Sequence, residues 1–339
     1  MKTLKIITLS IFAILFINCS KDNDNSSTTS YDIYVVGNEN NGSTDIAKLW
    51  KNGIVQNISD GTESAYVSSV FVSGSDVYVS GGESNGSNYV AKIWKNGVAQ
   101  NLTNGTQNAY ASSVFISEND VYVVGYEHNG SEDVAKLWKN GIAQDLSDGT
   151  HSARANSVFV AGSDVYVTIR ELNINYVAKL WKNGIVQDLT DGTHLAYINS
   201  VYVSDNDVYV TGSEYNGSKN VAKLWKNGIV QDLSDGSQNA FTSSVYVSGG
   251  DIYVSGREHN GSKYVAKTWK NGDTQDLTDG TQDARASSVY VIGNDVYVSG
   301  REFNGSTDVA KLWKNGVAQN LSTGSHDAST TSLFVIQND

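Results

Sequence analysis

Proline is absent from this chain of 339 residues, and cysteine and methionine occur once each. A single thiol, Cys19, excludes a disulfide framework and any cysteine-built metal centre. Basic residues are scarce too: 24 Lys and Arg stand against 36 Asp and Glu, a formal charge of −12. Nucleic acids require a basic face, so that class of partner is set aside. The longest apolar run, Ile6 to Ile17, counts 12 residues and is interrupted by Thr8 and Ser10. That is too short to span a bilayer, which needs about 20. No metal-ligand spacing and no cofactor motif is visible, so neither is expected.

Glycine is plentiful, with 32 residues, and tyrosine reaches 19. With an apolar set dominated by Val, Ile and Leu, this composition fits many short strands joined by Gly, Asn and Asp turns. Tryptophan shows how those strands are organised. All seven copies, Trp50, Trp94, Trp138, Trp181, Trp225, Trp269 and Trp313, stand in one frame, A-K-x-W-K-N-G, at spacings of 44, 44, 43, 44, 44 and 44 residues. A fixed period of this length marks stacked supersecondary units.

One repeat reads as four strands. Ser68 to Val72 is a β run, Ser73-Gly74-Ser75-Asp76 a tight turn, and Val77 to Ser80 a second strand ended by Gly81. A loop through Asn85-Gly86-Ser87 leads to Tyr89–Trp94, and Lys95-Asn96-Gly97 turns into Val98–Leu102. Asn-Gly between apolar runs is the strongest local hairpin signal. Four strands per repeat, arranged radially, predict an all-β, seven-bladed β-propeller over residues 31–339. The chain begins this region at a second strand, Tyr31 to Val35, and ends on a first strand, Ser332 to Ile336. A closing blade shared by the N- and C-terminal strands is therefore expected. The blade layout (apolar strand, turn, aromatic-bearing strand ended by Gly, then a Trp) resembles that of kelch-type propellers. The resemblance implies architecture and no functional residue. Each Trp is expected to pack between blades.

The first thirty residues stand apart. Lys2 and Lys5 precede the apolar run, and Leu15-Phe16-Ile17-Asn18-Cys19 resembles the lipobox of bacterial lipoproteins. The resemblance implies a signal peptide at 1–18, acylation of Cys19, and a flexible polar tether over 19–30. It further implies residence in the cell envelope, as an outer-membrane lipoprotein attached through the lipid on Cys19. The acidic stretch that follows, Ser20 to Asp24, is similar to export signals carrying some such lipoproteins to the cell surface. The alternative is a plain signal peptide followed by an incidental cysteine.

Connectivity sorts the loops onto two faces. With the first strand running from top to bottom, the Lys-Asn-Gly turns and the Asp opening each second strand lie on the bottom and repeat almost without change. The loops after the second and fourth strands lie on top and vary, and all five His and all five Arg fall there. Binding residues concentrate in loops on a rigid scaffold, so the top is the candidate functional face. One ring on it is formed by Glu39, Glu83, Glu127, Glu171, Glu214, Glu258 and Glu302, placed after the second strands. Another enters the central strands: Tyr66, Tyr110, Arg154, Tyr197, Phe241 and Arg285, with Ser329 in the last place. Aromatic faces beside carboxylates, amides and guanidiniums suit sugar recognition. The glutamates have an equally physical alternative, as structural acceptors or as partners of Arg170, Arg257 or Arg301. Blade IV departs from the pattern with Arg170-Glu171-Leu172-Asn173-Ile174-Asn175, one residue short and without the Asn-Gly turn; drift and a ligand-adapted loop both account for it.

The expectation is a monomeric, non-catalytic, lipid-anchored propeller binding a glycan or protein ligand on its top face. Two rivals stand beside it: a polysaccharide-acting enzyme, glycosidase or lyase, at the central mouth, and a passive scaffold of an envelope complex.

Overall fold

The computed structural model describes residues 30–338, and these contain twenty-eight strands and no helix. Blade II shows how the sequence builds a unit. Its strands are β4 (Ala65–Ser73), β5 (Asp76–Ser84), β6 (Tyr89–Lys95) and β7 (Val98–Asn101), paired antiparallel in that order from the axis outward. Asn96 and Gly97 turn β6 into β7 at φ of 51° and 79°. These left-handed values suit Asn and Gly and little else. The Asn96 side chain then ties the turn to β5: its Oδ1 accepts from the Val77 N–H at 2.8 Å, and its Nδ2 donates to Asp76 at 2.8 Å. Lys95 Nζ lies 2.7 Å from the same aspartate. The frame's K-N-G and the Asp that opens each second strand are thus one device, repeated on the bottom of every blade.

The closing blade, blade I, has the strand order β28 (Ala328–Gln337), β1 (Tyr31–Asn40), β2 (Asp45–Lys51), β3 (Ile54–Asn57). Tyr31 pairs with Gln337 at one end and Glu39 with Ala328 at the other, so both ends of the described chain share one sheet, as expected. Seven apolar wedges fill the spaces between successive blades, each centred on one tryptophan. Trp94 packs on Ala47, Leu49 and Val36 of blade I, and Trp50 closes the circle against Tyr297, Ala310 and Leu312 of blade VII. All seven indoles are buried. Burial of an aromatic this large contributes about 2–3 kcal/mol.

The end of the second strand differs from the sequence reading. Gly81 does not end the second strand, which continues to Ser84, and the glutamates lie within these strands rather than after them. The glycine is there for approach: a Cβ on Gly81 would stand 2.0 Å from the Tyr66 carbonyl oxygen of the neighbouring strand. In blade IV, Ile169 takes this place and is buried in the wedge beside Trp181.

Candidate functional site

The central strand of every blade carries two adjacent small polar residues, and there the pairing slips. Val67 pairs with Gly81 and Ser69 with Ser80, which leaves Ser68 as a β-bulge. The other six blades bulge at the same place, at Ser112, Asn156, Asn199, Ser243, Ser287 and Thr331. The serine after the bulge joins blades: Ser157 Oγ accepts from the Val201 N–H at 3.3 Å, and Ser332 Oγ from Val70 at 3.3 Å. The bulge residues themselves line a central cup of about 580 Å³. This polar ring was not anticipated from sequence. Its signal was present as a Ser/Asn/Thr-Ser doublet that breaks the two-residue alternation of a strand.

Three residues further down each central strand, about 10 Å by strand rise, an aromatic collar surrounds the axis. Phe71, Phe115, Phe159, Tyr202, Tyr246, Tyr290 and Phe334 follow one another with ring centroids 4.5–5.2 Å apart, back to Phe71. Burial holds the Tyr202 and Tyr246 hydroxyls well above the usual tyrosine range. The collar narrows the axis toward the bottom, so the cup opens at the top.

The mouth of the cup has two unlike sides. Over blades II to IV runs an arc of tyrosines: Tyr66 to Tyr89 at 5.5 Å, Tyr89 to Tyr110 at 5.0 Å, and Tyr110 to Tyr126 at 5.2 Å. Arg154 ends the arc, its guanidinium 4.2 Å above the Tyr126 ring and its Nε 2.6 Å from Asp133. Tyr66 Oη donates to Asp45 at 2.5 Å; this bond, with burial, pushes its hydroxyl far above the usual range. Burial also pushes Tyr126 up to about 12. Tyr89 and Tyr126 were not among the expected site residues: Tyr89 opens a third strand, whereas Tyr126 holds the position that carries Arg170, Arg257 and Arg301 in other blades, so its signal was present in the sequence.

Over blades V to VII the mouth is cationic. Tyr197, Phe241 and Arg285 of the expected ring line the cup together with Arg257. Arg257 lies 4.6 Å from the Tyr264 ring and 5.2 Å from Phe241. Arg301 is ion-paired with Asp308. Arg285 is open to the cup, yet desolvation by the surrounding protein, followed by the charges of Arg257 and Arg301, lowers its pKa to about 10. Between the two sides, Arg170 stacks 4.9 Å over Tyr176, and the divergent loop of blade IV exposes Ile174, 90% accessible.

The glutamate ring goes elsewhere. Every member pairs with the first lysine of the A-K-x-W frame in its own blade: Glu39 with Lys48 at 2.9 Å, Glu83 with Lys92, Glu127 with Lys136 at 3.6 Å, and Glu171 with Lys179 at 2.9 Å. Glu214, Glu258 and Glu302 hold Lys223, Lys267 and Lys311 at 3.5, 3.1 and 2.9 Å. The partner is a lysine, where the sequence suggested arginines. The Asp-Gly-Thr segments are Asx turns, as in Asp60, whose Oδ1 accepts from the Thr62 N–H at 2.9 Å; Asn104 does the same without charge. Among the described residues, no three His, Cys, Asp or Glu side chains converge as a metal site. Cys19 and the tether before Ser30 lie outside the described residues.

No family model matches this chain, and no curated protein matches it. Solved structures do. A Mycobacterium tuberculosis puromycin-hydrolyzing peptidase superposes with a TM-score of 0.50 at 11% identity, over 82% of this chain and 50% of its own. A Kuenenia stuttgartiensis hydrazine synthase gives 0.50 at 9% identity, over 91% and 47%. A putative TolB from Agrobacterium tumefaciens gives 0.47 at 9%, over 91% and 99%. This chain spans about half the length of the first two. At such identities the likeness is one of fold, that of a β-propeller.

Proposed function

We propose that this propeller is a non-catalytic binding module of the cell envelope that holds a glycan across the mouth of its central cup. The observation that carries the reading is the arc Tyr66-Tyr89-Tyr110-Tyr126, a run of rings with centroids 5.0–5.5 Å apart, flanked by Asp45, Asp133 and Arg154. The rings pack on one another with Arg154 over the last, so the arc offers a pyranose an aromatic surface of ring edges and hydroxyls, beside the fixed acceptors and donors that its hydroxyls need. The commitment of each ring glutamate to a lysine supports a binding rather than a catalytic role, because a general acid needs a carboxyl free to hold a proton. A protein ligand, or a passive place in an envelope complex, would use the same face.

The module acts as a monomer at the outer membrane, anchored by acylation of Cys19 and exposed to the cell surface. Its orientation is supported by Tyr31, where the described chain enters the fold on the bottom, and by the exposed Ile54, Val98, Ile142, Ile185 and Ile229 on that rim. The top then faces away from the membrane. An array of envelope and environmental glycans, probed with the full chain in detergent, tests the function. Binding that is lost in Tyr89→Ala and Tyr110→Ala is expected; a wild-type protein that retains no glycan overturns the reading. Acyl-label incorporation, abolished by Cys19→Ser, tests the anchor.

A further inference from the structure

The chain carries 36 carboxylate residues, and none of the described ones lines the central cup. Its wall presents Arg257 and Arg285 among hydroxyls and amides. Among the described residues neither guanidinium has an ion-pair partner, whereas Arg154 and Arg301 each hold an aspartate. Charges of one sign brought together where protein displaces water are unfavourable until an opposite charge joins them. Desolvation by the surrounding protein and, after it, the charges of Arg257 and Arg301 lower the pKa of Arg285. A protein of net charge −12 has thus built one cationic recess at the centre of its variable face.

We propose that Arg257 and Arg285 form a subsite for an oxyanion borne by a sugar, a uronate carboxylate or a sulfate ester, whose ring rests on Tyr197 and Phe241. The proposal builds on the reading of the mouth as a glycan surface. A guanidinium offers a planar fork that matches either oxyanion in two parallel hydrogen bonds. Arg257 packs against both the Phe241 and the Tyr264 rings, so little freedom is lost on binding. Asn199 donates its Nδ2 to the Thr242 carbonyl at 2.7 Å, which leaves its Oδ1 as a fixed acceptor for a sugar hydroxyl. Ser243 and Ser287 supply adaptable hydroxyls beside it.

The test is calorimetric titration of the full chain in detergent with an oligogalacturonate, its neutral methyl ester, and a sulfated oligosaccharide of equal length. The acid or the sulfate ester should bind about 10- to 100-fold more tightly than the neutral ester, the span of one to two charge-assisted hydrogen bonds. Preference for the acid identifies a uronate, and preference for the sulfate a sulfate ester. Arg285→Gln should erase the preference, and Arg285→Lys should restore it in part. Thermal unfolding of ligand-free Arg285→Gln should be no lower than wild type, since relieving a like-charge cluster cannot cost a structural ion pair. Equal binding of acid, sulfate ester and neutral ester, unchanged by Arg285→Gln, overturns the oxyanion subsite and leaves the glycan reading standing. No saccharide bound, with inorganic sulfate raising the Tm only when Arg285 is present, overturns the glycan reading and retains the oxyanion site. An acidic peptide bound in preference to every sugar overturns the proposal.

Discussion

The two faces of this propeller are built from the same seven repeats and have diverged in opposite ways. On the bottom every blade carries an identical lock, in which Lys and Asn of the turn clasp the Asp of the second strand, as Lys95 and Asn96 clasp Asp76. On the top the equivalent strand ends carry Tyr66 in one blade, Arg154 in another and Phe241 in a third, and they meet as a tyrosine arc on one side and a cationic recess on the other. The difference separates two kinds of constraint. The bottom turn must adopt left-handed backbone at Asn and satisfy its own hydrogen bonds, which leaves little choice of residue. The top strand ends face a shared cavity, where the side chain is free to change and the backbone is already secured by the sheet. Repetition therefore marks what holds the ring, and variation marks what the ring presents.

Breaking the scaffold should erase the contrast altogether. Deleting Ser332 to Asp339 removes most of β28, leaves β1 as an unpaired edge and opens the wedge of Trp50. Loss of cooperative unfolding, or aggregation, is expected by calorimetry; a melting temperature within a degree or two of the intact protein would show that the circle does not need its clasp. A smaller scaffold lesion is Gly125→Val, which sets a Cβ 1.9 Å from the Tyr110 carbonyl oxygen. Backbone must move to admit it, so a loss of more than about 2 kcal/mol is expected in urea unfolding.

The faces can then be set against each other. Replacing Tyr66, Tyr110 and Tyr197 with Ala should weaken glycan binding by about tenfold or more, while the fold persists because these rings lie at the mouth and outside the tryptophan wedges. Replacing Lys95 and Lys139 with Gln should leave binding unchanged. The reverse outcome in titration would invert the assignment of faces. The smallest effect belongs to the bottom locks and to pH. Their lysines and asparagines hold the carboxyls of Asp76, Asp120 and Asp251 below the usual range. A depressed carboxyl stabilises the fold above its unfolded value, near 3.9, and loses that contribution as pH falls through the folded value. Melting temperatures should therefore decline below about pH 4, and Asp76→Asn with Asp120→Asn should make the decline shallower. Because these groups are exposed, the change should be slight and should fade in high salt.

How much of this was legible in the sequence depended on range. The Trp period, the Asn-Gly turns and the incomplete repeats at the two ends are local patterns, and they determined seven blades, four strands in each, and a closing blade shared by Tyr31–Asn40 and Ala328–Gln337. The wedge role of the tryptophans followed, since a large ring repeated at one strand position must fill equivalent spaces. The top face was legible as a face, from the placement of Arg and His. Its chemistry was not. Glu83 and Tyr66 both read as top-face residues, with a structural pairing left open for the glutamate; the fold turns the glutamate onto Lys92 and packs the tyrosine against Tyr89. Ser68 and its six counterparts, three of them Asn or Thr, read as ordinary polar strand residues until the bulge turned them to the axis. Period and turn chemistry act between neighbours in the chain, so the sequence by itself determined the number of blades and the way the circle is fastened. The cup, its polar ring and the unpaired Arg257 and Arg285 arise only where seven separate strands converge on one axis, and only the tertiary structure could decide what meets there.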